Sequence, residues 1–395
     1  MAIIKRTGIS TPIKIIPTIN LNLESGFYFL SIWPMENYNL DNLEQQKDKI
    51  HTIVIDQGVE YQFNQLYGDD FGVAKLIKKY PEKNFIIITC NYKYDYNYIN
   101  WDENPNVKIL DYNGYWICKA FSGIYEKCLN SDDINIKNNL DIKNNNICLD
   151  TPLEHLFISL NNISHVHRAR LMDELAKNNL IEKGAISWRD VTRMYDNQRT
   201  DELDSVRHGY VYKYWKPKRM YLDQPLIDYS NNVEQYHIPI QIKSSFAQIV
   251  AESTVNQGFI SEKTTTSIFY NKMFMVLGCQ NFHANLVEMG FKMYENVFDY
   301  SFDSDPDYEI RVEKIVKNIK RYENYSMTDL QKIINSNKSI IKYNRELAIE
   351  YLHERIPKEM YDLNETLLSN KLPRLWAGFI PYSDINYVKS SFYGD

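Results

Sequence analysis

The feature that most constrains the fold is an alternation of strand-like and helix-like patterns between Phe246 and Phe291. FAQIVAES and MFMVLG are short apolar runs of strand length. TTTSIFYNK, which separates them, has helical spacing, and NFHANLVEM is followed by Gly290, a residue typical of helix ends. Alternating strands and helices predict a parallel sheet, whose ligands bind at the carboxyl ends of the strands. The SEKT sequence at 261–264 falls at such an end, so the chemistry is expected there.

The N-terminal part of the chain shows the same alternation. A helix with one apolar face is predicted over DFGVAKLIKKY at 70–80. The strands predicted around it are 25–33, 51–56, 85–90 and 107–112. These elements predict an α/β domain over residues 1–130, because strand and helix alternate throughout.

An Asn-rich, polar segment follows this first domain and has no core pattern, so residues 131–150 are predicted to be a linker. A second α/β domain is predicted over 151–360, beginning with the strand HLFISLN. Long helices are expected near its end, over roughly 308–322 and 327–355, before a tail at 361–395. Two α/β domains joined by a linker favour a cleft between them, a usual place for a nucleotide-containing ligand.

Composition excludes several classes of protein. The net charge of -6 gives no overall basic field, which disfavours a sequence-independent nucleic-acid coat protein. Five cysteines without a CxxC motif are typical of reduced thiols in a cytoplasm. The chain has neither an N-terminal apolar signal region nor a run of about twenty apolar residues. These features predict a soluble, cytoplasmic protein without a membrane span.

The helix predicted after HLFISLN carries unusual charge at its start, with His165, His167, Arg168 and Arg170 in its first two turns. Cations oppose the helix dipole at this end, and a bound anion such as phosphate relieves the conflict. Arg168 is the predicted phosphate contact, because a guanidinium pairs with phosphate through two hydrogen bonds. The alternative is a solvated basic face.

The SEKT sequence supplies complementary groups. The carboxylate of Glu262 suits ribose hydroxyls, and the ammonium of Lys263 suits a diphosphate. Thr264 adds a hydroxyl and a backbone N–H at the helix start. The alternative is a helix cap, with Ser261 as the capping residue and Glu262 interacting with the helix dipole.

Two segments, FISEKTTTSIFYNKMFMVLG and LVEMGFKMYENVFDYSFD, resemble the donor-binding half of GT-B glycosyltransferases. More specifically, they are similar to the fucosyltransferase-like branch and to related sugar transferases encoded by bacterial and giant viruses, which places the protein in the host cytoplasm if its gene is viral. FISLNNISHVHRARLMDELAKNNLIEKGAISW resembles the opening of that domain, so the resemblance covers roughly residues 155–312. One departure is Met273, where the fucosyltransferases tend to have proline before the strand.

This resemblance implies an α/β fold with two Rossmann-like domains facing a cleft and with C-terminal helices packing back. It implies a UDP- or GDP-sugar as co-substrate and no bound cofactor. The donor-binding residues are then Glu262 at the ribose and Lys263 and Arg168 at the diphosphate, with Ser261 and Thr264 beside them. The domain over 1–130 lies on the acceptor side. A metal site is not expected.

Transfer of a sugar requires an acceptor hydroxyl and, in an inverting enzyme, a carboxylate base. Asp56 and Glu60 follow a predicted strand end in the first domain and are the candidate catalytic residues. Each is equally explained as a solvated loop acid. The DSDPD sequence at 303–307 has the DxD spacing of metal-dependent transferases, which leaves a metal-dependent glycosyltransferase as an alternative.

Two aromatic segments, 91–101 and 210–221, are candidates for acceptor binding because tyrosine faces stack on sugars and on bases. In the second segment the predicted acceptor-binding residues are Tyr212, Tyr214, Trp215, Lys216 and Arg219. The acceptor is either a surface glycan or a hydroxymethylated pyrimidine, 5-hydroxymethylcytosine, in phage DNA, and a base in duplex DNA must leave the stack. The alternative for these segments is that their tyrosines are core residues. The alternative for the whole chain is a non-catalytic nucleotide- or glycan-binding protein. The oligomeric state is not predicted.

Overall fold

The structure is a computed structural model with an α/β fold built on two sheets. It describes residues 20–22, 26–31, 41–56, 73–89, 105–112, 114, 117, 149, 151–161, 165–188, 210–218, 220, 222, 239–256, 258, 260–352, 354–356 and 358–369. These residues belong to two compact units. The first unit draws on 1–123, 257–262 and 348–389, and the second on 124–256, 263–347 and 390–395.

The first unit contains a five-stranded sheet in the order β1-β2-β3-β4-β5. Its strands are β1 (Asn20–Asn22), β2 (Phe27–Ser31), β3 (Thr52–Asp56), β4 (Asn84–Thr89) and β5 (Val107–Asp111). β1 is antiparallel to β2, and the other neighbouring pairs are parallel. Most apolar residues of β3 and β4, among them Ile53, Ile55 and Ile87, are fully buried, and Ile86 is half-buried. The strands predicted at 51–56, 85–90 and 107–112 are therefore confirmed.

The second unit contains a four-stranded sheet in the order β7-β6-β8-β9, in which every neighbouring pair is parallel. Its strands are β6 (His155–Asn161), β7 (Gly184–Trp188), β8 (Ser245–Ala251) and β9 (Met273–Leu277). Every residue of β8 and β9 is buried, as expected for a parallel sheet covered on both faces. The parallel sheet predicted from the strand and helix alternation is confirmed.

The order of the second sheet creates a switch point between β6 and β8. The chain leaves β6 toward β7 on one side and leaves β8 toward β9 on the other. The two connections diverge, and in such a topology a crevice is expected outside the carboxyl ends of the two strands, here β6 and β8. In open α/β sheets this crevice is the usual ligand position.

Nine helices occur in the part of the chain that the structure describes. They are α1 (Asp41–Gln46), α2 (Val73–Lys79), α3 (Val166–Lys177), α4 (Glu262–Phe269), α5 (Phe282–Glu288), α6 (Tyr308–Lys320), α7 (Met327–Ser336), α8 (Lys338–Glu350) and α9 (Lys358–Ser369). None of these helices is long and apolar enough to cross a membrane. Helix α6 packs against α3 and β9 within the second unit.

Two helix ends illustrate how local sequence sets the boundaries. Gly290 ends α5 with a φ of 101°, and Phe291 N–H donates to the Leu286 carbonyl at 2.9 Å, as in a Schellman motif. The single helix expected over 327–355 is instead two helices, α7 and α8. Asn337 separates them, and its buried side-chain amide donates to the Ile333 carbonyl at 2.9 Å.

Candidate functional site

The candidate site lies at the switch point of the second unit, where β6 and β8 end and the helices α3 and α4 begin. Helix α3 has its N-cap at His165. The His165 side chain makes no capping hydrogen bond. A helix start leaves N–H groups without intrahelical partners, so this position favours anions.

Glu252, which directly follows β8, connects the elements around the switch point. Its side chain is only 1% exposed, and its carboxylate accepts a hydrogen bond from the Thr264 hydroxyl of α4 at 2.6 Å. Its backbone carbonyl accepts from His167 Nε2 at 2.7 Å and from Arg168 Nη2 at 3.1 Å, both on α3. Glu252 was not predicted as a site residue. The sequence feature that could have indicated it is an acidic residue directly after an otherwise apolar strand.

Arg168, the predicted phosphate contact, lies at this edge of the sheet and is 2% exposed. Its guanidinium donates to the carbonyls of Ala251 and Glu252 at 3.2 and 3.1 Å. His167 is also buried, and Arg170 bonds to Glu174 on its own helix at 2.8 Å. The start of α3 is therefore not a solvated basic face. Contact between Arg168 and a phosphate stays a prediction.

Positive charge is concentrated around His167. Burial is the largest cause that lowers the pKa of its imidazole to about 3, and the neighbouring charges of Arg168, Lys263 and Arg311 lower this pKa further. His167 is consequently neutral near pH 7 and donates through Nε2 to the Glu252 carbonyl. The same three cations that disfavour an imidazolium favour an anion.

Arg311 enters the site from α6, which the sequence did not indicate. Its guanidinium is buried, and Nη2 donates to the Gly278 carbonyl after β9 at 3.1 Å and to the Val255 carbonyl after β8 at 3.3 Å. The residue therefore joins the loops at the carboxyl ends of two neighbouring strands. Such a contact depends on tertiary packing, and no local sequence pattern indicates it.

The SEKT sequence begins α4 as predicted. Lys263 is half-buried, and its Nζ donates to the Ser253 hydroxyl at 3.1 Å. Thr264 is fully buried and bonds to Glu252. Ser261 is fully buried, and Glu262 is the half-buried first residue of the helix. The structure thus brings Lys263 and Thr264 together with Arg168, while the assigned roles at ribose and diphosphate stay predictions.

The candidate catalytic carboxylates belong to the first unit. Asp56 is the last residue of β3, and its backbone pairs with Ile88 of β4. It therefore lies at the carboxyl end of a central parallel strand. The side chain of Asp56 and the whole of Glu60 lie outside the described residues.

The aromatic segment 210–218 is anchored to α3 by Asp173. The carboxylate of Asp173 accepts from the backbone N–H groups of Lys213, Tyr214 and Trp215 at 2.7 to 3.1 Å and from the Tyr210 hydroxyl at 3.1 Å. Burial raises the pKa of the Asp173 carboxyl, but these donors outweigh burial and hold the pKa below its ordinary value. A buried carboxylate on α3 thus fixes the backbone of this segment.

The predicted acceptor-binding residues fall into two groups within this segment. Trp215 is buried, and its ring packs edge-to-face on Trp188 at 5.0 Å, while Tyr212 is half-buried against Trp215 at 5.3 Å. Tyr214 is 59% exposed and Lys216 is also exposed. Arg219 lies outside the described residues. The interpretation of these aromatic residues as core therefore applies to Trp215, and a binding role remains a prediction for Tyr214 and Lys216.

The DSDPD sequence has a structural role at each of its three carboxylates. Asp303 accepts from His283 Nδ1 at 2.8 Å and from the backbone N–H groups of His283 and Ala284 at 3.0 Å, which caps α5. Asp305 pairs with Lys314 at 2.6 Å, and Asp307 caps α6. Within the described ranges no group of three or more potential ligands is arranged to hold a metal ion.

No protein-family model, no curated protein and no solved structure matches the chain significantly.

Proposed function

We propose that the chain is a glycosyltransferase that binds a nucleoside-diphosphate sugar at the switch point of the second unit. The sugar moves from UDP or GDP to an acceptor hydroxyl. The supporting observation is the concentration of Arg168, Lys263 and Arg311 around the neutral imidazole of His167. A diphosphate is the ligand group whose charge and hydrogen-bond acceptors suit such a cluster.

The cations also suit the reaction. As the bond between the sugar and the diphosphate breaks, negative charge increases on the departing phosphate. Fixed cations that face this charge lower the barrier, because they need no reorganisation at the moment of transfer. Lys263 is the residue proposed to contact the diphosphate, since its ammonium is half-buried and rests on the Ser253 hydroxyl. Arg168 and Arg311 contribute positive potential from positions fixed by backbone carbonyls.

The finer architecture is part of this proposal. The two α/β units are proposed to be the Rossmann-like domains of a GT-B enzyme, which face a cleft. Asp56 or Glu60 is proposed to act as the base that removes the proton from the acceptor hydroxyl. The position of Asp56 at the carboxyl end of β3 favours this role, because functional side chains in parallel sheets gather at that edge.

The acceptor is proposed to be a glycan or a hydroxymethylated pyrimidine in DNA. Tyr214 and Lys216 support either acceptor, because an exposed ring and an exposed ammonium suit both sugars and nucleotides. Transfer of labelled sugar to DNA that contains 5-hydroxymethylcytosine, compared with transfer to lipopolysaccharide, distinguishes the two acceptors. Activity that survives EDTA is expected, and loss of activity in EDTA favours the metal-dependent alternative.

The donor site is tested by Lys263→Ala, with Lys342→Ala as the matched control. Lys342 is an exposed lysine on α8 in the same unit. UDP and GDP are titrated calorimetrically into each protein. We expect Lys263→Ala to weaken binding of the preferred nucleotide about tenfold, or ~1.4 kcal/mol, and Lys342→Ala to leave it unchanged.

Thermal unfolding of both variants shows whether the fold is retained. Removal of a half-buried lysine from a hydroxyl contact leaves the melting temperature close to that of the wild type. Unchanged nucleotide affinity in Lys263→Ala refutes the role of this residue. If neither UDP nor GDP binds the wild type, the transferase proposal itself fails.

A further inference from the structure

Glu252 is a buried acidic residue at the edge of the cationic site. Its side chain is 1% exposed, and the neighbouring residue Ser253 accepts a hydrogen bond from Lys263. Arg168 binds the carbonyl of Glu252 itself at 3.1 Å. A buried carboxylate without compensation is strongly unfavourable, so a stabilising environment is required. The Thr264 hydroxyl donates to this carboxyl group, and Arg168, Lys263 and Arg311 lie around His167, which donates to the Glu252 backbone carbonyl.

The Glu252 carboxylate, when ionised, weakens the binding of any anion at the switch point. It attracts the same cations that a phosphate group attracts, and it repels the phosphate directly. The repulsion increases with the negative charge of the ligand. Free nucleoside diphosphate has a terminal phosphate with a second ionisation near pH 6, whereas esterification by the sugar removes that ionisation. The product of the reaction is therefore more negatively charged than the donor.

We propose that Glu252 is a specificity-determining residue that disfavours free nucleoside diphosphate relative to the nucleotide sugar. This inference rests on the proposed function. Its benefit is product release, since the departing nucleotide acquires charge that the carboxylate opposes. The geometry fixes Glu252 for this role, because its backbone is bonded to α3 and its carboxylate to α4.

The test is the substitution Glu252→Gln, which keeps a hydrogen-bond acceptor for Thr264 and removes the charge. Calorimetric titrations use uridine, UDP and UDP-glucose, or guanosine, GDP and GDP-mannose if the wild type prefers guanine. We expect affinity for the diphosphate to rise about tenfold, as removal of one nearby charge can produce. The gain is smaller for the nucleotide sugar and absent for the nucleoside.

Thr264→Val is the matched control, because it removes the same hydrogen bond while Glu252 keeps its charge. This variant is expected to show no gain that increases with ligand charge. If Thr264→Val reproduces the pattern of Glu252→Gln, the effect comes from the hydrogen bond and the inference is wrong. Equal or weaker diphosphate binding in folded Glu252→Gln also overturns it.

A second pair of variants decides the question if Glu252→Gln does not fold. Ser253→Asp adds a carboxylate beside Lys263, and Ser253→Asn is the neutral control of similar size. Ser253→Asp is expected to weaken UDP or GDP about tenfold more than the nucleoside, relative to Ser253→Asn. Equal losses overturn the inference. If the wild type binds no nucleotide at all, the proposed function itself is wrong, and this result is distinguishable from a failure of the inference about Glu252.

Discussion

Replacement of Asp303 by alanine should destabilise the second unit, and added metal ions should not change this effect. The carboxylate caps α5 by accepting two backbone N–H groups at 3.0 Å, and it also accepts from His283 Nδ1 at 2.8 Å. With Nδ1 donating, His283 Nε2 is free to accept the Val276 N–H of β9 at 3.0 Å. Asp303 thus stabilises the start of α5 and, through His283, the backbone of β9.

The magnitude follows from these contacts. Loss of a helix cap typically costs about 1 kcal/mol. Loss of a buried hydrogen bond to a charged group adds about 1.5–3 kcal/mol. A total of about 2.5–4 kcal/mol lowers the melting temperature by roughly 5–16 °C for a domain of this size. Thermal unfolding followed by circular dichroism measures this shift.

Asp305→Ala is the matched control from the same DSDPD sequence. Asp305 pairs with Lys314 at 2.6 Å, but its side chain is 23% exposed and that of Lys314 is 41% exposed. A pair of this kind contributes about 0–1 kcal/mol. Equal destabilisation by Asp303→Ala and Asp305→Ala refutes the structural role of Asp303. A wild-type melting temperature that rises with manganese, and does so only when Asp303 is present, favours the metal site instead.

The same residue predicts a dependence on pH. Burial raises the pKa of the Asp303 carboxyl, but the hydrogen bonds from His283 outweigh burial and hold the pKa below its ordinary value. A lowered folded-state pKa stabilises the fold at all pH values above the unfolded pKa of about 3.9. This stabilisation is lost as the pH falls through the folded value. The difference between wild type and Asp303→Ala should therefore shrink below pH ~4.

Two further predictions concern other buried groups. Because the pKa of His167 is lowered to about 3, its imidazole gains a proton below pH 6.5 in the unfolded chain but not in the folded one. As the pH falls below 6.5, the free energy of unfolding of the wild type should therefore decrease by up to about 1.4 kcal/mol per pH unit relative to that of His167→Gln. Urea unfolding between pH 7 and 4 measures this, and parallel slopes contradict it. Asp173→Ala should release the 210–218 segment from α3, since three backbone N–H groups lose their acceptor. Limited chymotrypsin digestion should then cleave near Tyr214 faster than in the wild type, and an unchanged rate contradicts the anchoring role.

The elements of the second unit were largely predictable, because strand and helix periodicity is a local property. The strand at 273–277 and the helix end at Gly290 follow from apolar patterning and from the conformational freedom of glycine. The break at Asn337 was not predicted, since the apolar spacing continues across it. A buried asparagine amide that bonds to the preceding turn interrupts the helix there.

The candidate site was predictable only in part, for the same physical reason. Arg168 and Lys263 stand at helix starts next to strand ends, so local patterning identified them. Glu252 and Arg311 act through contacts between distant parts of the chain. Arg311 reaches carbonyls 33 and 56 positions earlier in the sequence, and no periodicity encodes that arrangement.

The three cations of the candidate site make different kinds of hydrogen bond. Arg168 and Arg311 are 2% exposed, and their guanidinium groups bond to backbone carbonyls at strand ends. Moving either arginine to a ligand would break these buried hydrogen bonds, which is unfavourable. Lys263 is instead half-buried, and its ammonium donates to the Ser253 hydroxyl at 3.1 Å. Under the proposed function, the arginines therefore supply a fixed positive potential, and Lys263 is the residue proposed to contact the diphosphate.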